Sequence, residues 1–408
     1  FCFPPPFASL MTLPQKTLSQ MRLLLVSHVP HFVHAGRLWA YGPYAREVDT
    51  VWASLFASVC IAAPVKHEPP PADATPFANP NITLADMPEF SGGRLEKGSR
   101  LADLPKLGIA AFRLLCLARR TDVVHLRNPG NLGLLGALLG PLLGRRRIAK
   151  YAGQWNGFPG EAWTVRLERR LLRSRWWGAP VLVYGQWPQQ PAHVVPFFTS
   201  VLTENQMAQA RQAAANRISD VRSPNTPLRL LYVGRLSREK HVDTIIHAVA
   251  ALHGQGDAVT CTLVGHGAAD AELRALAATL GVNDVVTFAG GVPFEKITHY
   301  YETHDVLALI SETEGWPKAI AEAMAFGLIC IGSDRSIIPQ MLGDNRGLVV
   351  PPGDVDALAK ALRQVAAWPA AQQQETSRRS ATWGQRFTLE NLRDAIRDLL
   401  TNGTRPTL

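Results

Sequence analysis

The sequence predicts an α/β protein, built as two Rossmann-like, doubly wound parallel-sheet domains facing a central cleft. Three observations lead there. The chain has 408 residues, the length of two ordinary domains that each bury their own core. Short apolar runs alternate with helix-period segments in two series, one from Arg22 to Val195 and one from Leu228 to Ala366. Turns punctuated by glycine follow the apolar runs, and in doubly wound sheets ligands bind at those carboxyl ends. The expected boundaries are a disordered extension over 1–20, with Met21 as the natural start, a first domain over 21–200 and a linker over 201–227. A second domain follows over 228–384, and a C-terminal helix over 385–408 crosses back to the first domain.

In the first series, Arg22 to Ser27 reads as a strand and the segment with His28, His31, His34 and Gly36 as a loop. A helix over Tyr44 to Phe56 and a strand over Cys60 to Val65 come next. Residues 66 to 82, rich in Pro, Ala and Asn, read as surface loop. A helix from Pro105 to Arg119 carries its proline in the first turn and its basic residues at the end, as the helix dipole favours. Strands follow at Asp122–Leu126, Arg147–Tyr151, Val181–Tyr184 and His193–Val195. Between them lie a helix ending near Gly144 and a basic helix over Glu161 to Arg175.

The second series opens with the strand Leu228–Val233 and its Gly234-Arg235-Leu236 turn, then a helix from Val242 to His253. The strand Val259–Val264 runs into Gly265-His266-Gly267. The strand Val285–Ala289 precedes a helix from Pro293 to His304. The run Val306–Ile310 leads through Glu314-Gly315-Trp316 into a helix with Pro317 as its first residue and Gly327 as its left-handed cap. Strands at Leu328–Gly332 and Leu348–Val350 follow, then a helix from Val355 capped by Asp354 and a last one over Leu389–Leu400.

Composition narrows the function classes. Hydrophobic residues make up 47% and charged residues 18%, which suits a globular chain. No apolar run is long enough to span a bilayer. The formal charge of +9 attracts nucleic acid, anionic membrane or phosphorylated ligands and does not choose among them. No nucleic-acid-binding motif accompanies it. Cys2, Cys60, Cys116, Cys261 and Cys330 form no metal-type pairs and read as inert thiols in a reducing compartment.

Two cations, Arg235 and Lys240, follow the first strand of the second series. They suit a diphosphate, and equally a solvated surface pair. Glu314 and Glu322 flank a helix N-terminus, itself an anion site. Carboxylates repel phosphate and accept bonds from hydroxyls, as on sugar and ribose rings, although a cap or an acid/base pair fits the same spacing. No Asp or His joins them in a metal-ligand pattern.

Taken together, Val233-Gly234-Arg235-Leu236 with Lys240, Val264-Gly265-His266-Gly267, Val286-Thr287-Phe288-Ala289-Gly290, Glu314-Gly315-Trp316-Pro317, Glu322-Ala323-Met324-Ala325, Gly327 and Pro351-Pro352-Gly353-Asp354 resemble the retaining GT-B glycosyltransferases of family 4. Order and spacing agree over roughly residues 228 to 366. The resemblance implies a nucleotide-sugar donor, UDP- or GDP-linked, as substrate, with no cofactor and no metal. It assigns Arg235 and Lys240 to the diphosphate, Glu314 to hydroxyls of the donor sugar and Glu322 to the ribose. Backbone around Gly315, Trp316, Pro317 and Lys318 would face sugar and phosphate. Gly234, Gly265 and Phe288 complete the donor side, and Trp316 and Lys318 help select the sugar. Transfer would go to a saccharide or lipid-linked acceptor hydroxyl with retention, in polysaccharide, lipopolysaccharide or glycolipid assembly. An epimerase or phosphorylase of the same fold, or a non-catalytic sugar-nucleotide-binding protein, stands as the alternative.

The first series matches less well. Gly36 takes the place of the family's glycine-rich loop near the donor phosphate, but the usual paired glycines are absent. The family's His-x-His is His125-Leu126-Arg127 here, so His125 and Arg127 are the acceptor-side candidates, with a core histidine as the competing reading of His125. His28, His31 and His34 read as solvated loop histidines rather than metal ligands. The basic helix, with Trp176 and Trp177, reads either as a solvated helix or as a contact with anionic lipid, placing the protein in the cytoplasm on the inner face of the membrane.

Overall fold

The computed structural model describes residues 16–71, 73–90, 104–144, 146–220, 222–223 and 226–406. Most of the expected extension, residues 1–15, lies outside them. The chain forms two compact units. One runs to Val201 and resumes at Leu389; the other is Leu202–Thr388.

The strands of the first unit are, in chain order, β1 (Arg22–Val26), β2 (His31–His34), β3 (Arg37–Tyr41), β4 (Ser58–Ala63), β5 (Val65–Lys66), β6 (Ala74–Pro76), β7 (Ile82–Asp86), β8 (Val123–Asn128), β9 (Arg147–Tyr151), β10 (Val181–Tyr184) and β11 (Val194–Phe197). Seven of them make one parallel sheet in the order β11-β10-β9-β8-β1-β4-β7. The direction of winding reverses between β1 and β8. Runs such as Leu23-Leu24-Leu25-Val26 are buried throughout, because helices cover both faces of such a sheet.

A second, four-stranded sheet, β5-β2-β3-β6, corrects the reading of residues 28 to 36 as a loop. β2 and β3 form an antiparallel hairpin with His34 opposite Arg37. Ala35 and Gly36, at φ 49° and 71°, make its two-residue turn, which needs positive φ at both positions. The loop expected over 66 to 82 likewise contributes β6, paired with β3. The helix after the hairpin starts at Gly42 and runs to Leu55, with a wider turn over Val48–Trp52.

In the second unit, β12 (Leu228–Val233), β13 (Val259–Val264), β14 (Val286–Gly290), β15 (Val306–Leu309), β16 (Ile329–Ser333) and β17 (Gly347–Val350) form a parallel sheet ordered β14-β13-β12-β15-β16-β17. Its winding reverses between β12 and β15. The polar, helix-prone stretch placed at the start of the linker forms the helix Glu204–Ser219 of this unit, which Thr203 and Gln206 open with a reciprocal capping box. The helix Ala370–Gly384 has no counterpart in the sequence reading. The face it buries is Gln373, Thr376, Ser377, Ser380, Ala381 and Gly384, so it shows no apolar stripe. It lies against the helix Lys318–Ala325, and a Cβ on Gly384 would come within 2.5 Å of the Ala325 nitrogen. The final helix, Leu389–Asn402, returns to the first unit and packs by Leu392 and Ile396 in the region of Val48–Trp52.

Candidate active site

In an open parallel sheet the crevice forms at the carboxyl edge, where the winding reverses. In the second unit that point lies between the ends of β12 and β15, and Arg235, Lys240, Glu314 and the helix Lys318–Ala325 all start there. Lys240 sits in a short 3-10 turn, Arg238–Lys240, and its ammonium donates to Glu314 Oε1 at 2.6 Å. The two residues are 74 positions apart in sequence. Beside them His241 Nε2 lies 3.0 Å from Glu312 Oε1, and the Glu312 amide donates to the Glu239 carbonyl at 3.0 Å. These links fasten the two strand-end loops together.

The glycines of this edge serve backbone packing. The Gly234 amide donates to the Val264 carbonyl and the Leu236 amide to the His266 carbonyl, so the ladder continues past the ends of β12 and β13. A Cβ on Gly265, at φ +142°, would stand 1.8 Å from the Gly234 oxygen, and one on Gly267 would stand 2.1 Å from the Leu236 oxygen. Gly234 leaves room for the Tyr232 hydroxyl, which folds back to donate to the Arg235 carbonyl at 2.7 Å. Arg235 itself is exposed at the rim. Phe288, near the end of the outer strand β14, lies half-buried under the Arg274 guanidinium at 4.5 Å.

Pro317 is the N-cap rather than the first helical residue. Its ψ of 89° is not helical, and its carbonyl accepts from the Ile320 amide at 3.0 Å. Gly315 lies half-buried in the turn, whose Glu314 carbonyl accepts from the Ser336 hydroxyl. The Trp316 ring is turned inward. It stacks on Trp383 with centroids 5.9 Å apart and meets Phe387 edge-on at 5.1 Å. What Trp316 offers to a ligand is therefore its backbone. Glu322 lies on the helix beyond, mostly buried, and accepts from the Tyr301 hydroxyl at 2.8 Å. At the far end Gly327 takes φ +76°, and Arg217 Nε donates to the Phe326 carbonyl at 3.3 Å, placing a cation at the helix C-terminus. Tyr301 and Arg217, both holding this helix, went unnoticed in the sequence. No local pattern marks them, since each acts across an element boundary.

In the first unit the candidates fare differently. Gly36 occupies an exposed hairpin turn with nothing within 4 Å of a built Cβ, so the turn alone explains the glycine. His125 is 1% exposed and stacks on Trp52 at 4.2 Å, with neither ring nitrogen hydrogen-bonded. Burial drives its pKa down to about 3 and keeps the ring neutral. Of the two readings of this residue, the core one is the one that the packing fits. Arg127 is half-buried, its guanidinium 5.0 Å from the Tyr44 ring centre.

His31, far from being solvated, is buried between Tyr44 and Phe77, with Nδ1 2.8 Å from the Val29 carbonyl. Among the described residues no group of His, Cys, Asp and Glu could hold a metal ion. Further ionisable side chains are buried here. Lys150 Nζ lies 2.7 Å from Glu47 Oε1 and donates to the Thr199 hydroxyl at 3.3 Å. Glu168, on the inner side of the basic helix Trp163–Arg173, accepts from the Asn128 side chain and the Gly130 amide. Burial raises its pKa to about 7.

Known proteins resemble the chain in two ways. Over 143 residues it is 37% identical to the amylovoran biosynthesis glycosyltransferase AmsK of Erwinia amylovora, covering 33% of this chain and 35% of that protein. Over 141 residues it is 31% identical to a GDP-mannose-dependent alpha-(1-6)-phosphatidylinositol monomannoside mannosyltransferase of Mycobacterium tuberculosis, covering 33% and 37%. The matched stretch is thus little more than a third of these relatives' length. By fold, Anabaena HepE in complex with UDP and glucose superposes with a TM-score of 0.65 at 16% identity, covering 94% of this chain and 100% of that one. WaaG, a glycosyltransferase involved in lipopolysaccharide biosynthesis, gives 0.62 at 16%, covering 93% and 100%. The architecture is that of the solved GT-B glycosyltransferases. Residues 215–381, which hold the switch-point site, match the model of the family Glycosyl transferases group 1.

Proposed function

We propose that the chain is a glycosyltransferase that moves a sugar from a nucleotide-sugar donor to an acceptor hydroxyl with retention, in polysaccharide or glycolipid assembly. The observation that carries this reading is the meeting of Lys240 and Glu314 at the switch point, beside Arg235 and a helix start. A lysine already paired with a carboxylate has its charge aimed into the site. An arriving diphosphate competes for that ammonium, with Arg235 at the rim closing on the same phosphates. Released from Lys240, Glu314 can accept bonds from hydroxyls of the donor sugar, and Glu322 from those of the ribose. The Glu314-Gly315-Trp316-Pro317 backbone faces the sugar, with Lys318 starting the helix behind it.

In the reaction, the bond from the anomeric carbon to the diphosphate oxygen breaks as the acceptor oxygen bonds to the same face. The acceptor proton passes to the departing phosphate oxygen. Arg235 and Lys240 stabilise the charge that develops there, so the reading requires no metal ion. Support for a donor of this class comes from solved complexes of HepE with UDP-glucose and from the GDP-mannose-dependent relative.

Lys240→Ala is expected to lose most turnover at any donor level and Glu322→Ala to lose it at sub-saturating donor, each about a hundredfold or more, while melting stays near that of the wild type. Acceptor-dependent release of nucleoside diphosphate measures this. Unchanged turnover in either variant would remove the assignment, and turnover abolished by a chelator would remove the metal-free mechanism. Release that needs no acceptor would favour the epimerase or phosphorylase alternative.

For the acceptor side, the outer face of the basic helix supports an anionic membrane as partner. Arg166, Arg170, Arg173 and Arg175 are exposed, and among the described residues none has an ion-pair partner. Trp163 is 61% exposed, and Trp176 and Leu142 also reach solvent. Trp177, expected at the same interface, is instead buried beneath Arg147. No helix of the described residues is long and apolar enough to cross a membrane. Vesicles of phosphatidylcholine with phosphatidylglycerol should pull the protein down in a salt-sensitive way, and those of phosphatidylcholine alone should not. Replacing the four arginines by glutamine should abolish that binding; equal binding before and after excludes the face.

A further inference from the structure

The Glu322 carboxylate is held from behind by a residue that reaches no solvent. Tyr301, in the last turn of the helix Phe294–Thr303, is fully buried, and its hydroxyl donates to Glu322 Oε2 at 2.8 Å. Its ring packs on Phe326, one turn beyond Glu322, with centroids 5.6 Å apart. Its backbone is pinned as well. The Arg217 guanidinium donates to the carbonyls of Tyr301 at 2.9 Å and Glu302 at 3.3 Å, while Arg217 Nε donates to that of Phe326. One arginine thus ties together the ends of the two helices that carry the phenol and the carboxylate. The hydroxyl cannot swing away, so it meets Glu322 from a direction fixed by the core.

A phenylalanine would fill the same space and stack on Phe326 equally well. Of the tyrosine's side-chain atoms, the hydroxyl is the one that bonds the carboxylate. Burial and the nearby Glu322 charge hold the phenol well above its ordinary pKa, so it remains a donor at any working pH. A carboxylate that must take two neighbouring hydroxyls needs a defined plane, which a side chain with three rotatable bonds does not possess by itself.

We propose that Tyr301 is a positioning residue, which orients the Glu322 carboxylate toward the 2′- and 3′-hydroxyls of the donor's ribose. This rests on the reading of Glu322 as the ribose ligand. The ribose lies away from the bond that breaks, so its contacts are the same in the ground and transition states. Loosening them weakens donor binding and leaves the chemical step alone. Tyr301→Phe is therefore expected to raise the donor KM about tenfold with kcat nearly unchanged.

The decisive experiment is calorimetric titration of UDP and GDP and their 2′,3′-dideoxy forms into wild type, Tyr301→Phe, Glu322→Gln and the double variant. The wild type should prefer the ribose form of its nucleotide by about tenfold or more. Tyr301→Phe should shrink that preference several-fold, Glu322→Gln should abolish it, and adding Tyr301→Phe to Glu322→Gln should change nothing further. If Glu322→Gln loses the preference while Tyr301→Phe keeps it, the inference fails and the role of Glu322 stands. Losses that add in the double variant also overturn it. If Glu322→Gln keeps the preference, the role of Glu322 fails and the inference falls with it; a protein that binds neither nucleotide removes the donor reading and both with it. Melting of the free variants is read alongside. A Tyr301→Phe protein that does not fold assigns the hydroxyl to stability and overturns the proposal.

Discussion

Histidine shows most directly how one residue type takes its character from its surroundings. The sequence reads His28, His31 and His34 of the first unit alike, as solvated, and leaves His125 between an acceptor-side role and the core. Burial separates them. His31 is held down to about 4 and His125 to about 3, both for lack of solvent. Once unfolded, each binds a proton near the ordinary imidazole value of 6.5. As pH falls below that value the unfolded state takes up protons that the folded state refuses. Stability then declines by up to ~1.4 kcal/mol per pH unit for each histidine. Glu168 acts in the opposite sense. Raised from 4.5 to about 7, it keeps a proton in the folded state that the unfolded chain has released, so between those values its contribution grows as the solution becomes more acid. Two histidines outweigh one carboxyl. The urea midpoint should fall between pH 6.5 and 4.5, and should fall more steeply in Glu168→Gln; a midpoint that is flat or rising would contradict the burial of both histidines. Arg235, Lys240 and Glu314 were legible without coordinates because each sits just past a strand end, where loop position follows from local pattern. That Lys240 and Glu314 pair, and that Trp316 turns inward onto Trp383 and Phe387, depends on elements remote in sequence, and no spacing rule reports it.

Among the elements, the strand-to-helix units of the second sheet were read almost to the residue, since a buried parallel strand is a continuous apolar run bounded by turn residues. The helix from Val355 is an example: Asp354 accepts from the Ala357 amide at 2.8 Å, as a capping aspartate should. Among the elements that escaped, two show why. The hairpin β2–β3 was hidden because Ala35-Gly36 is a weak turn signal and three histidines drew the segment toward a loop. The helix Ala370–Gly384 was hidden because its buried side chains are small or polar. The Gly265 loop allows a sharp test of why its glycines are there. If they serve the close approach of Gly265 and Gly267 to the β12 turn, Gly265→Ala should cost on the order of 3 kcal/mol or more in unfolding free energy, because the clash is with backbone and the φ is one that alanine avoids. If they served only a ligand's approach, the variant would melt normally and lose nucleotide binding alone.

For the whole molecule, two parallel sheets with the strand order of a doubly wound fold were expected from alternation, and the structure shows them. The first unit is discontinuous: the chain leaves it at Val201, builds the second unit and returns at Leu389. Removing residues from Leu389 onward strips the first unit of Leu389, Leu392, Ile396 and Leu399, all buried. Losing four such side chains costs several kcal/mol. The truncated protein should melt earlier in the first unit, while nucleoside diphosphate still protects the second, which limited proteolysis with and without UDP or GDP would resolve. Equal resistance of the first unit in both proteins would count against the helix as part of its core.

That discontinuity also sets an order of events during synthesis. The first unit emerges from the ribosome early, but its last helix is made only after the whole second unit. At roughly 5–20 residues per second, making the second unit alone takes on the order of 10–40 s, and through all of it the apolar seat around Val48–Trp52 waits for its cover. Through that interval the nascent chain carries an open hydrophobic surface, and a chaperone that binds such surfaces has its opportunity on the first unit rather than the second.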